Sequence, residues 1–194
     1  MPDGGEPRAI QSTTLVTLPN LITFARLCAV PLAFWLVIDH RLGLAFLLFV
    51  AAGVSDAVDG WLARRLGGNA VGAVLDPVAD KALLVTMYVT LAAVNEMPDW
   101  LATLVVFRDL VIVGGVIVLG LIGSPVTIRP LFISKVNTAL QLLLVALTLF
   151  LSGFGGQDAA VPGVALGMTL LTWLVGASTL ASGAAYVWKA ARGR

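Results

Sequence analysis

The sequence predicts an all-α integral membrane protein with six transmembrane helices. Three observations support this: the composition is strongly apolar, the apolar residues fall in long runs, and the basic residues favour one side of those runs. Of 194 residues, 59% are hydrophobic and 12% are charged, whereas soluble domains carry about 25% charged residues. Each span needs about 20 apolar residues, so six spans leave room for loops and tails only. The alternating ten-residue strands of a membrane barrel are not seen in the sequence.

Six apolar segments, separated by charged or turn-forming residues, are predicted to be the helices. Asp39-His40-Arg41 ends the first, and Gly67-Gly68-Asn69 separates the second from the third. The predicted spans are 21–38, 44–66, 71–94, 100–122, 131–151 and 164–188. Residues 1–20 are predicted to be a tail with a short interfacial segment at 10–18, residues 21–188 the six-helix domain, and residues 189–194 a basic tail.

The distribution of Lys and Arg predicts the orientation, since basic residues concentrate in cytoplasmic loops. With a cytoplasmic N-terminus, Arg41 alone faces the other side, against eight basic residues at or near the cytoplasmic face: Arg8, Arg64, Arg65, Arg129, Lys135, Lys189, Arg192 and Arg194. Both termini are therefore predicted to be cytoplasmic. The N-terminal residues lack the repeated arginines of a mitochondrial presequence, which favours a bacterial cytoplasmic membrane.

Charge and composition also exclude several classes of function. A formal net charge of +1 does not suit a nucleic-acid-binding protein, and one Cys and one His exclude Cys-rich or His-rich metal centres. Small residues in the spans predict close helix packing. In the fourth span they are Gly114 and Gly115, and in the sixth they repeat every four residues at Ala177, Ala181 and Ala185. Packing within the bundle is the favoured interpretation, and a dimer contact is the alternative.

Four aspartates in the second and third spans are the strongest functional signal, because an ionisable residue in a span is costly. Asp56 and Asp59 are three residues apart, and Asp76 and Asp80 are four apart. On a helix each pair lies on one face, and a short connection brings the two pairs to similar depth in the cytoplasmic half. Such a set of anions requires protons or cations. Oxygen-only ligands favour Mg²⁺ or Mn²⁺ over softer metals, and two ions would suit phosphoryl transfer.

Small residues beside the aspartates indicate space for a ligand. Gly60, Ala63 and Gly72 leave room at the carboxylates, and Arg64 supplies a cation suited to a phosphate. Two other interpretations stay open from these residues. One is a proton relay or ion transporter, although the outer halves of the spans are nearly free of ionisable groups; the other is a purely structural membrane protein.

The pattern Asp56-x-x-Asp59-Gly60-x-x-Ala63-Arg64 followed by Gly72-x-x-x-Asp76-x-x-x-Asp80 resembles the signature of the CDP-alcohol phosphatidyltransferases at all eight fixed positions. The resemblance implies transfer of a phosphatidyl group from a CDP-linked lipid to an alcohol, with release of CMP. It also implies a homodimer. By this resemblance Asp56, Asp59, Asp76 and Asp80 would hold the metal and Asp80 would also be the general base. The CDP moiety would contact Asp56, Gly60, Ala63, Arg64 and Gly72.

Further motifs narrow the resemblance within the family. Pro19-Asn20-Leu21-Ile22-Thr23 resembles both the phosphatidylglycerophosphate synthase and the CMP-forming cardiolipin synthase branches. Arg108-Asp109 and the run from Phe132 to Thr138 with Gln141 resemble the cardiolipin synthase branch more closely. The acceptor would then be phosphatidylglycerol, with glycerol 3-phosphate as the alternative.

Four cations would fit an acceptor that carries a phosphate, with Asn137 and Gln141 as neutral partners. They are predicted to converge near the carboxylates: Arg26, Arg108, Arg129 and Lys135. Arg129 and Lys135 could equally be headgroup anchors, and Arg108 could instead pair with Asp109.

Overall fold

The computed structural model describes residues 18–66, 70–121, 132–156 and 161–192, and their side chains over 24–58, 79–115, 132–156 and 161–188. Within these ranges the chain is all-helical, without strands. The predicted helices are confirmed, each boundary lying within four residues of its prediction at the described ends. The six helices are α1 (Leu18–Ile38), α2 (Leu42–Leu66), α3 (Ala70–Ala93), α4 (Asp99–Leu121), α5 (Phe132–Phe154) and α6 (Pro162–Arg192).

The same capping motif ends α1 and α3. His40 and Asn95 adopt left-handed backbone conformations, with φ of 56° and 61°. The N–H of the next residue then reaches back to a carbonyl five residues earlier, from Arg41 to Leu36 at 2.8 Å and from Glu96 to Leu91 at 2.9 Å. This is the Schellman arrangement, in which a left-handed residue satisfies the last carbonyls of a helix. It lets the chain reverse within a few residues, so α1 and α2, and likewise α3 and α4, run antiparallel.

Helix α3 lies at the centre of the bundle. It packs against α1, α4 and α5, while α2 packs against α1 and α5, and α6 against α4 and α5. Its large apolar side chains are almost fully buried, including Met87, Tyr88 and Leu91 at 0% exposure. They belong to one apolar core with buried side chains of four other helices, which are Val37, Leu101, Val105, Leu144, Val145, Leu149 and Val175. The core therefore fixes the position of α3, the helix that carries Asp80.

The outer surface of the bundle is apolar. Large side chains such as Phe107, Leu110, Leu170 and Trp173 are more than 60% exposed, which is unfavourable in water and typical of a surface in contact with lipid. Two helical stretches among the described residues are long and apolar enough to cross a membrane, Phe132–Phe154 and Pro162–Trp188. The apolar stretches Phe24–Ile38 and Leu42–Val58 are shorter.

The helices approach each other closely at glycines other than those expected. A Cβ built on Gly153 would lie 2.5 Å from the backbone nitrogen of Gly43, so α5 and α2 meet at backbone contact there. By contrast, a Cβ on Gly114 or Gly115 would meet no described atom within 4 Å. The prediction of close packing at those two glycines is therefore wrong for the described part of the chain.

The alanine repeat of α6 does not pack within the bundle. Ala177 and Ala181 are exposed and Ala185 is half-buried. Instead, α6 turns Gly176 towards the ring of Trp100, where an added Cβ would lie 2.9 Å from two ring carbons. The favoured interpretation of the repeat, packing against neighbouring helices of the same chain, is thus wrong for Ala177 and Ala181, because the face with the smaller Gly176 is the one that meets α4.

Candidate active site

One arginine and two aspartates from three helices meet in the first charged cluster of the bundle. Nη1 of Arg26 on α1 lies 3.0 Å from Oδ1 of Asp56 on α2 and donates a 2.7 Å hydrogen bond to Oδ1 of Asp80 on α3. The Arg26 side chain is 2% exposed, whereas those of Asp56 and Asp80 are 47% and 43% exposed. We call these three residues the carboxylate cluster. Its cation is buried and its anions are accessible, so the cluster presents negative charge.

Of the four aspartates predicted to meet, Asp56 of the second span and Asp80 of the third lie at the same guanidinium nitrogen. Six further residues of the predicted site have backbones on α2 or α3, but their side chains are outside the described residues: Asp59, Gly60, Ala63 and Arg64 on α2, and Gly72 and Asp76 on α3. Their assignment to metal or CDP binding therefore stays a prediction.

The donor atoms of the carboxylate cluster fit a hard divalent cation. Asp56 and Asp80 offer oxygen ligands, and both already face one positive charge at a single guanidinium nitrogen. Carboxylate oxygens are the ligands that Mg²⁺ and Mn²⁺ prefer. Among the described side chains, no three acidic, His or Cys residues lie close enough to hold a metal by themselves. The side chains of Asp59 and Asp76, the other two predicted ligands, are outside the described residues.

A second charged cluster lies between α3 and α4. Nζ of Lys81 donates to Oδ2 of Asp109 at 2.7 Å, and Nη1 of Arg108 donates to Oδ1 of the same carboxylate at 2.7 Å. Side-chain exposure is 9% for Asp109, 5% for Arg108 and 41% for Lys81. We call these three residues the lysine cluster. Here the anion is buried, and the accessible member is a cation.

Arg108 connects three helices through its second terminal nitrogen. Its Nη2 donates to Oγ of Ser134 on α5 and to Oγ of Ser182 on α6, each at 2.6 Å. The guanidinium carbon also lies 5.9 Å from the centre of the Tyr186 ring, within the range of a cation–π contact. Since Arg108 itself is on α4, this one side chain links α4 to α5 and α6.

Of the four cations expected to converge on the carboxylates, Arg26 alone is seen there among the described residues. Arg108 belongs to the lysine cluster, and its pairing with Asp109 is the alternative interpretation from the sequence. Lys135 is exposed, and Arg129 is outside the described residues. The sequence interpretation did not assign Lys81 and Asp109 to the site, although a Lys and an Asp in neighbouring apolar spans are a signal for such a pair.

Asn137 and Gln141 lie between α5 and α6, both fully buried. Oδ1 of Asn137 accepts hydrogen bonds from Ser178 at 2.7 Å and Thr179 at 2.9 Å, and Gln141 Nε2 is 3.3 Å from the Thr179 hydroxyl. Polar contacts of this kind hold membrane helices together. These contacts use Asn137 Oδ1 and Gln141 Nε2, while Asn137 Nδ2 and Gln141 Oε1 have no hydrogen-bond partner among the described residues. The expected role of both residues beside the carboxylates stays a prediction.

A cavity of about 220 Å³ lies at the opposite end of the bundle from Arg26, beside the turn between α3 and α4. Trp100 and Trp173 line it, with ring centres 5.1 Å apart. Its acidic residue, Glu96, accepts a 2.6 Å hydrogen bond from Ser152. We assign the cavity no part in the chemistry, since it is remote from both charged clusters.

The sequence as a whole matches a known family of membrane enzymes. The family model of the CDP-alcohol phosphatidyltransferases aligns with residues 16–181. The chain belongs to this family. The match spans α1 to α5 and most of α6, and so includes every residue of the two charged clusters.

Individual relatives carry two kinds of name. A cardiolipin synthase (CMP-forming)/mitochondrial hydrolase fusion protein of Schizosaccharomyces pombe is 38% identical, covering 89% of this chain and 31% of the relative. A chloroplastic CDP-diacylglycerol–glycerol-3-phosphate 3-phosphatidyltransferase of Oryza sativa is 35% identical, covering 88% and 56%. The cardiolipin synthase (CMP-forming) of Homo sapiens is 32% identical, covering 74% and 53%. The chain thus spans between about a third and just over half of these curated relatives.

Proposed function

We propose that this protein transfers a phosphatidyl group from CDP-diacylglycerol to the primary hydroxyl of phosphatidylglycerol, producing cardiolipin and CMP. Membership of the CDP-alcohol phosphatidyltransferase family supports the reaction type. Relatives from a yeast, a mammal and a bacterium are named cardiolipin synthase (CMP-forming), which supports the acceptor. The observation that carries the proposal is the pair of accessible carboxylates, Asp56 and Asp80, that neighbouring helices bring to one buried Arg26.

Each carboxylate has a role in the proposed reaction. Asp56, Asp59, Asp76 and Asp80 would hold Mg²⁺ or Mn²⁺, expected as two ions. When bound, these ions would neutralise the pyrophosphate and stabilise the departing CMP. The accessible Asp80 carboxylate takes the proton from the acceptor hydroxyl. The hydroxyl oxygen then bonds to the phosphorus next to the diacylglycerol, and the pyrophosphate P–O bond to CMP breaks.

Arg26 has a positioning role in this reaction. Its buried guanidinium contacts Asp56 and Asp80 at once, so it fixes two carboxylates of different helices at one place and limits their mutual repulsion. The CDP moiety would lie against Gly60, Ala63, Arg64 and Gly72, where a lack of bulky side chains allows close approach to the helices. Arg129 and Lys135 are the proposed acceptor-binding cations.

We propose that all six helices span a bacterial cytoplasmic membrane with both termini and the active site on the cytoplasmic side. The apolar outer surface and the excess of basic residues near one end support this orientation. A homodimer is also proposed. Ala177 and Ala181 lie exposed on α6, and small residues four apart let helices of two chains approach closely.

An acceptor panel with the purified protein tests the proposed reaction. CDP-diacylglycerol is supplied in mixed micelles with Mg²⁺ or Mn²⁺, and phosphatidylglycerol, glycerol 3-phosphate, inositol phosphate, serine and choline are compared as acceptors. We expect CMP release and cardiolipin with phosphatidylglycerol. Product formed with glycerol 3-phosphate instead would overturn the proposed acceptor.

Phosphatidylglycerophosphate synthesis is the second candidate, since the rice relative and one from Cereibacter sphaeroides are named for glycerol 3-phosphate transfer. A transporter is the remaining alternative from the sequence. It predicts ion or proton flux across sealed vesicles without any lipid product, so the same preparation distinguishes it from both synthases.

A further inference from the structure

Lys81 follows Asp80 directly on α3, yet the two side chains have partners on different neighbouring helices. Consecutive residues of an α-helix are about 100° apart around the axis and about 1.5 Å apart along it. Asp80 accordingly reaches Arg26 on α1, while Lys81 reaches Asp109 on α4. A carboxylate and an ammonium group are thus presented at nearly the same depth, on two sides of one helix.

The lysine cluster carries more positive charge than its buried carboxylate needs. Asp109 is one anion, and it accepts hydrogen bonds from two cations, Arg108 and Lys81, each at 2.7 Å. Arg108 is buried, and its terminal nitrogens bond to Asp109, Ser134 and Ser182. The cluster therefore has a net charge of +1, and its accessible member is the Lys81 side chain at 41% exposure.

We propose that Lys81 binds the phosphodiester of the acceptor lipid, and that Asp109, backed by Arg108, positions the Lys81 ammonium for this contact. The inference rests on the proposed function and adds to it a residue for the acceptor. The phosphodiester of phosphatidylglycerol carries one negative charge, which matches the net charge of the lysine cluster. An ammonium has three donor hydrogens, so Lys81 can bond to Asp109 and to a phosphate oxygen together.

The dimensions of the acceptor fit this placement. In phosphatidylglycerol three carbons separate the reacting hydroxyl oxygen from the phosphate oxygen, so the phosphate must lie a few bonds away from the proton acceptor. Lys81 is the neighbour of the proposed base, Asp80, in sequence and in depth. A headgroup with its hydroxyl at Asp80 therefore has its phosphate within the range that a flexible lysine side chain can cover.

The same geometry explains why Arg108 is a positioning residue and not the phosphate ligand. Its side chain is 5% exposed, and a phosphate would have to displace two serine hydroxyls and a carboxylate to reach its terminal nitrogens. Lys81 needs no such displacement. Arg108 was one of the four cations expected from the sequence to bind the acceptor. In this proposal Lys81, which pairs with the same Asp109 carboxylate, takes that role.

The test measures apparent KM and kcat for both substrates in mixed micelles, using the full chain and the variants Lys81→Gln, Lys81→Arg and Asp109→Asn. Arg41→Gln is the matched control, because it also removes a partly exposed cation paired with an aspartate, here Asp39 at 2.7 Å, at a turn remote from both clusters. Thermal unfolding of each variant confirms that it is folded.

We expect Lys81→Gln to raise the KM for phosphatidylglycerol by about tenfold or more, as loss of a charge-assisted hydrogen bond predicts. Its kcat and its KM for CDP-diacylglycerol should change by less than about threefold. Lys81→Arg should restore most of the affinity, Asp109→Asn should raise the same KM by a smaller factor, and Arg41→Gln should match the parent protein.

Three results would overturn the inference. They are an unchanged KM for phosphatidylglycerol in Lys81→Gln, a loss confined to kcat, or a rise confined to the KM for CDP-diacylglycerol, which would assign Lys81 to the donor. Failure of the proposed function is a separate outcome: the parent protein would then use glycerol 3-phosphate in place of phosphatidylglycerol. The KM for that acceptor would still decide whether Lys81 binds its phosphate.

Discussion

The two charged clusters of the bundle use similar residues with opposite exposure. In the carboxylate cluster a buried arginine holds two accessible aspartates, and in the lysine cluster a buried aspartate holds one accessible lysine. The buried member of each cluster is costly to place between helices and is compensated by its partners. The accessible member then determines which charge the site presents, so one side of α3 suits cations and the other suits a phosphate.

The difference teaches that sequence position alone does not reveal the role of a charged residue in a span. Arg26 and Arg108 are both buried arginines paired with aspartates. Arg26 leaves its carboxylates accessible, whereas Arg108 is enclosed by a carboxylate and two hydroxyls. The proposed chemistry follows the accessible groups, Asp56, Asp80 and Lys81, and the buried groups hold them in place.

The largest effect is expected from Asp80→Asn. The amide keeps the size of the side chain and can still bond to Arg26, but it can neither accept the hydroxyl proton nor offer an anionic ligand. We expect CMP release to fall by at least about 10³-fold, within the range of general-base losses, while thermal unfolding stays near that of the parent protein. A variant with full turnover would refute the role of Asp80 as the base.

The second comparison applies the same substitution to both arginines. Arg108→Gln removes one cationic partner of the buried Asp109 and also the hydrogen bonds from Arg108 to Ser134 and Ser182. We therefore expect a loss of about 3 kcal/mol in the free energy of unfolding. Arg26→Gln leaves carboxylates that solvent can reach, and its cost should be nearer 1 kcal/mol. Unfolding in mixed micelles with SDS measures both values. An equal or reversed order would contradict the account in which Arg108 compensates a buried carboxylate and Arg26 compensates accessible ones.

A smaller effect is expected where the helices are joined by neutral groups. Asn137→Ala removes the acceptor of the Ser178 and Thr179 hydroxyls, and hydrogen bonds between membrane helices average about 0.6 kcal/mol. A double-mutant cycle with Thr179→Val should give a coupling energy of that order, with KM values unchanged. A change in the KM for either lipid would contradict this purely structural role and would indicate that Asn137 contacts a substrate.

Much of the helical framework could be predicted from the sequence, because each span ends at charged or turn-forming residues. Asp39-His40-Arg41 and Asn95 mark the two turns that the structure closes with left-handed residues. The proximity of Asp56 and Asp80 also followed from the sequence, because the spacing of the aspartates and the short connection between the two spans place them at similar depth. Such features depend on local chemistry, which a single sequence displays.

The contacts of α4, α5 and α6 could not be predicted in the same way. Which face of each helix turns inward depends on how side chains of several helices pack together, and small residues on both faces of α6 gave no unique answer. Ala177 was expected to pack inside the bundle, but Gly176 occupies that position against Trp100. Likewise, the pairing of Lys81 with Asp109 depends on how α3 and α4 are rotated relative to each other. In spans that are apolar on every face, the sequence pattern does not indicate this rotation.

Binding of Mn²⁺ by the purified protein without lipid substrates tests the central claim most directly. Electron paramagnetic resonance of free Mn²⁺ gives a binding isotherm for the parent protein, Asp80→Asn and Lys81→Gln. We expect the parent and Lys81→Gln to bind Mn²⁺ with similar affinity and Asp80→Asn to bind at least about tenfold more weakly, as loss of an anionic ligand predicts. Equal binding by Asp80→Asn, or a loss confined to Lys81→Gln, would contradict the account.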